Sequence, residues 1–120
     1  MRTPTRATVV EPEVLVRGDV PADRVEAAVA DLRAACARPP GPVLFARLTL
    51  TMAPDPAVGR PATAAASIDL SGRILRAHAD GETMGEAVDL LADRVRRGMR
   101  RLRRDHRAQT RRPGAAHAGP

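Results

Sequence analysis

The residues best suited to do chemistry in this chain are arginines near its end. Residues 94–112 contain ten arginines and a single acidic residue, Asp105. On a helix, spacings of three and four residues would place these arginines in two rows along opposite flanks. The first arginine row holds Arg94, Arg97, Arg101 and Arg104, and the second arginine row holds Arg96, Arg100, Arg103 and Arg107. Successive guanidinium groups in a row would lie about 5 to 6 Å apart, close to phosphate spacing along a strand, and each can bind a phosphate through two hydrogen bonds.

The charge of the chain is concentrated in the same region. The net charge is +6, and residues 81–120 account for +5 of it. All 20 basic residues are arginine, as GC-rich codon usage would produce, so the choice of arginine over lysine carries little information. Ten like charges in nineteen positions repel one another unless a partner neutralises them, which favours a polyanion over a merely solvated helix face. We expect nucleic acid rather than a membrane surface, because the apolar residues between the rows include no Trp or Phe.

Catalytic and metal-binding chemistry finds little support. The three histidines, His78, His106 and His117, are far apart in sequence, and no common catalytic or metal-ligand motif occurs. Cys36 falls among apolar residues and is expected to be an inert, buried thiol. Acidic residues at 86, 89 and 93 lie on the same helix as the arginines and are interpreted as ion-pair partners that support the helix. We therefore expect no enzyme activity, metal, cofactor or small-molecule substrate.

The single cysteine excludes an internal disulfide, and there is no apolar run of membrane-spanning length and no secretory signal. These features predict a cytoplasmic protein.

The elements that must position the arginines begin with a short strand, residues 14–17, which Gly18 closes. A four-turn amphipathic helix follows Pro21, with its apolar face at Val25, Ala28, Val29, Leu32 and Cys36. After a proline-rich loop, residues 43–52 alternate as a half-buried strand, and residues 53–61 predict a mobile loop. Residues 63–70 and 73–79 then form a hairpin around Ser71 and Gly72, in which Leu70 faces Arg73.

The last element is a long helix that begins at a capping box formed by Thr83 and Glu86. Its apolar stripe is formed by Met84, Val88, Leu91, Val95, Met99 and Leu102. The order β-α-β-β-β-α predicts an α+β fold: a four-stranded mixed sheet, its first two strands parallel, with two helices packed on one face. We divide the chain into a flexible leader (1–12), one domain (13–107) and a disordered basic tail (108–120).

Within this pattern, the sequence IDLSGRILRAHADGETM at 68–84 and the helix that follows resemble the N-terminal domain of the ribosome hibernation promoting factor and ribosome-associated inhibitor A family. In that family a glycine-turn hairpin and an alanine-containing strand lead to a helix opening Asp-Met-Tyr-x-Ala-Ile-Asp, followed by an Asp-Lys-Leu run. The matching residues here are Thr83, Met84, Ala87, Val88 and Asp89, and then Asp93, Arg94 and Val95. The looser resemblance extends over residues 13–107.

The resemblance implies a non-enzymatic factor that binds the 30S subunit at the 16S rRNA of the decoding region. There it would block messenger and transfer RNA and silence translation in stress or stationary phase. The basic helix positions of the family correspond to Arg94, Arg97, Arg100, Arg101 and Arg103, with weaker contacts from the sheet at Arg47, Arg73 and Arg76; Arg104 and Arg107 extend the two rows. The long members of the family carry a further C-terminal domain that pairs ribosomes. Nothing follows residue 120 here, so we do not expect this chain alone to pair ribosomes, and its own oligomeric state stays open.

Two other functions remain open on the sequence. The chain is compatible with a generic RNA- or DNA-binding α+β domain that merely shares the fold. It is also compatible with a diverged paralogue that acts as a protein-interaction module for an acidic partner.

Overall fold

A computed structural model describes residues 11–55 and 57–111, with side chains up to residue 105. The elements in chain order are β1 (Glu13–Arg17), α1 (Ala22–Ala35), β2 (Phe45–Met52), β3 (Ala62–Leu70), β4 (Arg73–Gly81) and α2 (Met84–Arg111). This is the predicted β-α-β-β-β-α order, and the α+β class is confirmed. The predicted leader lies outside the described residues, apart from residues 11 and 12.

The four strands form one sheet in the order β1-β2-β3-β4. β1 runs parallel to β2, and the other neighbours are antiparallel, so the sheet is mixed as predicted. The hairpin has the predicted register, with Leu70 opposite Arg73. Its two turn residues, Ser71 and Gly72, have φ angles of 58° and 96°. Two positive φ angles define the turn whose twist matches that of the flanking strands, which is why a two-residue connection holds this register.

The crossover through α1 begins with a close approach of two backbones. Gly18 has φ +85°, and a Cβ atom there would lie 2.2 Å from the carbonyl oxygen of Met52, so no other residue fits without moving β2. Pro21 then caps α1 in an extended conformation. The helix buries Ala28, Leu32 and Ala35 against the rest of the core.

The core lies between the two helices and one face of the sheet. The alternate residues of β2 and β3 that face the helices are buried, except Met52, which is half-buried at the end of β2. Leu48, Leu50 and Ile68 are fully inaccessible. Alanines occupy most of the inward positions of β3, and the only aromatic residue, Phe45, is exposed. Small side chains on the sheet leave room for the helices to approach closely, so the core is completed by residues of α2.

α2 begins at the predicted capping box. Thr83 Oγ1 accepts a hydrogen bond from the Glu86 amide at 3.1 Å, and Glu86 Oε1 accepts one from the Glu82 amide at 2.7 Å. The helix then continues to Arg111, beyond the boundary that we placed at residue 107. The apolar stripe ends near residue 102, but the residues after it are good helix formers, so the helix extends past the part that packs. Residues 112–120 of the predicted tail lie outside the described residues, and the division into leader, domain and tail stays a prediction.

Candidate nucleic-acid interface

The two arginine rows of α2 are separated by a buried apolar stripe. Met84, Val88, Leu91, Val95 and Met99 are at most 6 % exposed, because they pack on the sheet and on α1. The arginines between them are exposed, except Arg103, which is half-buried. Packing therefore fixes the rotation of the helix, and the rotation places the two rows on opposite flanks.

The first arginine row lies along the free edge of β4. Arg94, Arg97 and Arg101 line an open groove of about 320 Å³. Arg76 and His78 of β4 also line this groove. The guanidinium group of Arg94 donates a hydrogen bond to the carbonyl oxygen of His78 at 2.5 Å. This contact ties the row to the sheet edge and holds Arg94 in the groove. Arg104 is exposed one turn further along, past the groove.

The second arginine row faces the end of α1. Arg96, Arg100 and Arg103 line a shallow depression of about 140 Å³, whose other wall includes Ala34, Ala37 and Arg38. Arg103 donates a hydrogen bond to the carbonyl oxygen of Arg38, which anchors this flank of α2 to the proline-rich loop. Arg107 lies on α2, and its side chain is outside the described part of the structure.

The three sheet arginines that were predicted to bind RNA, Arg47, Arg73 and Arg76, occupy different surroundings. Arg47 and Arg76 are exposed on the face of the sheet opposite the helices, in a cross-strand row with Glu13 and Ser67. Arg47 pairs with Glu13 at 2.7 Å, and its guanidinium carbon lies 5.7 Å from the ring centroid of Phe45. The guanidinium nitrogen Nη2 of Arg73 lies 4.0 Å from the carboxylate oxygen Oδ2 of Asp105 on α2. Only Arg76 therefore joins the groove of the first row, and it also borders a depression of about 300 Å³ on the open face of the sheet.

Few of these arginines are neutralised within the chain. Asp93 pairs with Arg97 one turn away, as predicted. The same prediction was wrong for Glu86, whose carboxylate accepts a hydrogen bond from the Glu82 amide at the start of α2, and among the described side chains Asp89 forms no ion pair. Among the side chains that the structure describes, no ion pair involves Arg96, Arg100, Arg101 or Arg104. Exposed pairs such as Arg97 with Asp93 are worth little and are readily exchanged for a phosphate. The groove of the first row is thus available for an anionic partner.

Two contacts of this interface could not be predicted from residue spacing. The hydrogen bond from Arg94 to His78 links positions 16 residues apart, and that from Arg103 to Arg38 links positions 65 residues apart. Both use a backbone carbonyl as the acceptor, which no side-chain pattern marks. Arg96 lies in the second row although it has no counterpart among the positions that the family resemblance assigns.

Other chemistry is sparse in the described residues. Burial raises the pKa of the Cys36 thiol from 9.0 to about 11, so the thiolate is a minor species at neutral pH. No cluster of three or more histidine, cysteine or acidic side chains that could hold a metal ion occurs in residues 11–55 and 57–105. No helix in the described part of the chain is long and apolar enough to span a membrane.

Comparison with known proteins places the fold. No protein-family model matches the chain, and no curated protein matches it significantly. Among solved structures, the N-terminal domain of Protein Y from Thermus thermophilus superposes with a TM-score of 0.63 at 19% identity, covering 78% of this chain and 100% of that one. A ribosomal subunit interface protein from Coxiella burnetii superposes with a TM-score of 0.56 at 14% identity, covering 75% of this chain and 96% of that one.

At these identities the likeness establishes a shared fold. The chain is an α+β domain with the fold of the Protein Y N-terminal domain. Its own last helix, α2, carries the two arginine rows. The fold that the family resemblance implied is therefore confirmed.

Proposed function

We propose that this protein is a ribosome-binding factor that silences translation by occupying the small subunit. The observation that carries the proposal is the groove along β4, where Arg94, Arg97 and Arg101 of α2 and Arg76 of the sheet are exposed together. Several guanidinium groups at helical spacing match a phosphate backbone, and a folded domain behind them adds a fixed shape. The names of the two structural neighbours, a Protein Y domain and a ribosomal subunit interface protein, agree with a ribosomal partner.

The proposed site of action is the 16S rRNA of the decoding region, and the mechanism is steric. The first arginine row and Arg76 bind rRNA phosphates. The second arginine row, which includes Arg100 and Arg103, contacts rRNA on the other flank of α2. Arg47 and Arg73 contribute less, because neither lines the groove of the first arginine row. The bound domain occupies the space of messenger and transfer RNA, so no catalytic group is required. Such a factor acts in the cytoplasm, in stress or stationary phase.

Co-sedimentation on sucrose gradients tests this proposal. The protein is mixed with 70S ribosomes, 30S subunits or 50S subunits, with excess bulk RNA, at about 0.1 M and about 0.5 M salt. We expect stoichiometric binding to 70S and 30S particles that resists the competitor at the lower salt and weakens at the higher salt. Loss of all binding to bulk RNA would instead identify a generic RNA-binding domain, and absence of any binding to ribosomes or RNA would favour a protein partner.

A pair of variants shows whether α2 makes the contact. Replacing Arg97 and Arg101 with Glu should abolish ribosome binding, because two attractive phosphate contacts become repulsive. The matched control replaces Arg33 and Arg60 with Glu, which changes the net charge equally at exposed positions outside both rows. The control should retain binding. Equal loss in both variants would show that net charge, and not the groove, determines affinity.

A further inference from the structure

The two edges of the sheet differ in how they are protected. At the β4 edge, Arg94 of α2 occupies the His78 carbonyl and arginine side chains line the margin. β1 forms the other edge and, among the described strands, pairs with β2 alone. In the part of the chain that the structure describes, no side chain hydrogen-bonds to the backbone of β1. An unpaired strand edge presents a row of amide and carbonyl groups that can pair with another strand.

The β1 edge also exposes apolar surface on both faces of the sheet. Leu15 is 38% exposed on the open face, and Val16 is 42% exposed on the face that carries the helices. The exposure of Val16 shows that α1 does not cover the margin of the sheet. Exposed β-branched and leucine side chains on an edge strand favour strand addition unless charges oppose it.

The sequence of β1, EVLVR, is complementary to itself when two copies run antiparallel. Centred on Leu15, such a pair places Glu13 opposite Arg17 of the second copy, and Arg17 opposite its Glu13. Val14 then lies opposite Val16, and Leu15 lies opposite Leu15. Directly opposed residues in an antiparallel pair have Cβ atoms about 5 Å apart, so both charge pairs and all three apolar pairs make contact.

We propose that β1 is a self-association edge, through which two copies of the chain join their sheets into one continuous eight-stranded sheet. The two-fold axis is perpendicular to the sheet, so the helices of both copies lie on the same side. Glu13 keeps its contact with Arg47 through one carboxylate oxygen and offers the other to the partner. The strand order places β1 three strands from β4, about 14 Å across the sheet, so the arginine groove of each copy stays free.

The association is weak because the paired strand has only five residues. An interface of this size falls below the standard range for stable complexes, and we expect a dissociation constant on the order of 100 µM. The full chain is therefore monomeric at the micromolar concentrations used for ribosome binding. For this reason, the outcome of the dimerisation test is independent of the proposed function.

Sedimentation equilibrium between about 10 µM and 1 mM protein measures the association. Variants that reverse the charge at position 13 or 17 show whether the β1 edge is the surface involved. Glu13→Arg and Arg17→Glu each create two like-charge pairs in the dimer and should weaken it at least about tenfold. An equimolar mixture of the two variants restores opposite charges at both positions across the interface and should associate more tightly than either variant alone. This recovery also shows that both variants are folded. Arg60→Glu changes the net charge as Arg17→Glu does, but in the loop between β2 and β3. It should leave the association unchanged.

Three results would overturn the proposal. The first is a natural chain that stays monomeric at 1 mM. The second is association that neither single variant weakens, which would place the contact elsewhere. The third is a mixture of the variants that fails to recover the association.

Discussion

Gly98 of α2 lies directly against the side chain of Leu75 on β4. A Cβ atom at position 98 would be 2.5 Å from Leu75 Cδ1 and 3.3 Å from Leu75 Cδ2. Gly98 is also flanked in sequence by Arg97 and lies within the groove of the first arginine row. The glycine thus lets the helix approach the strand closely enough for Arg94, Arg97 and Arg101 to lie beside Arg76.

This contact predicts that Gly98→Ala stabilises the protein by less than helix propensity alone would give. The propensity gain is about 1 kcal/mol, but the half-buried Leu75 side chain must rotate away from the added methyl group. We expect a change well below about 1 kcal/mol in the free energy of unfolding, measured by urea denaturation. In a Leu75→Ala background the clash is absent, and the same substitution should stabilise by about 1 kcal/mol. Equal stabilisation in both backgrounds would show that the contact carries no constraint.

The hairpin turn gives a second prediction. Ser71 and Gly72 both have positive φ, which Asn and Gly adopt most easily. Ser71→Asn should raise the free energy of unfolding by about 0.5 kcal/mol, whereas Gly72→Val should lower it by about 1 to 2 kcal/mol. Both variants are compared by thermal or urea unfolding. A neutral Gly72→Val would mean that the turn does not require its left-handed backbone.

The fold could be predicted from sequence wherever the determining signal is local. Alternation along β2 and β3 fixes which residues face the helices, and the turn at Ser71 and Gly72 fixes the register of β3 and β4. The spacing of the arginines likewise predicts the two rows of α2. Each of these features depends on residues within a few positions of one another.

The remaining features depend on how distant elements pack. The approach of Gly98 to Leu75, and the anchoring of Arg94 on the His78 carbonyl, follow from the angle at which α2 crosses the sheet. No local pattern specifies that angle. The continuation of α2 to Arg111 has a different origin, because the helix persists on intrinsic propensity after its packing partners end. Which arginines bind RNA stays a prediction, since their geometry is compatible with any anionic partner.

The Cys36 thiol should react slowly in the native protein. Its pKa is raised to about 11 by burial, so the thiolate fraction at neutral pH is much smaller than that of an exposed cysteine. Alkylation by iodoacetamide should therefore be slower in the native chain than in the urea-unfolded chain, and should accelerate as the pH rises. Equal alkylation rates in both states would contradict the burial.

The raised pKa of Cys36 also makes the free energy of unfolding depend on pH. Between the unfolded pKa of 9.0 and the folded pKa of about 11, the unfolded state releases its proton first, so stability falls with increasing pH.

The salt dependence of ribosome binding counts the phosphate contacts. Each neutralised phosphate contributes about 0.7 to 0.9 to the slope of log affinity against log salt concentration. Replacing Arg97 and Arg101 with Ala should therefore reduce the slope by about 1.4 to 1.8, while Ala at Arg33 and Arg60 should leave it unchanged. An unchanged slope in the first variant would remove these two arginines from the contact.

The central claim is that the protein and the translation substrates exclude each other on the small subunit. The most direct test titrates messenger RNA with initiator transfer RNA into a complex of 30S subunits and fluorescently labelled protein, and follows fluorescence anisotropy. The account predicts that the labelled protein is released as the subunits fill, and that an excess of protein in turn prevents transfer RNA from binding. Simultaneous, saturating occupancy of one subunit by the protein, messenger RNA and transfer RNA would contradict it.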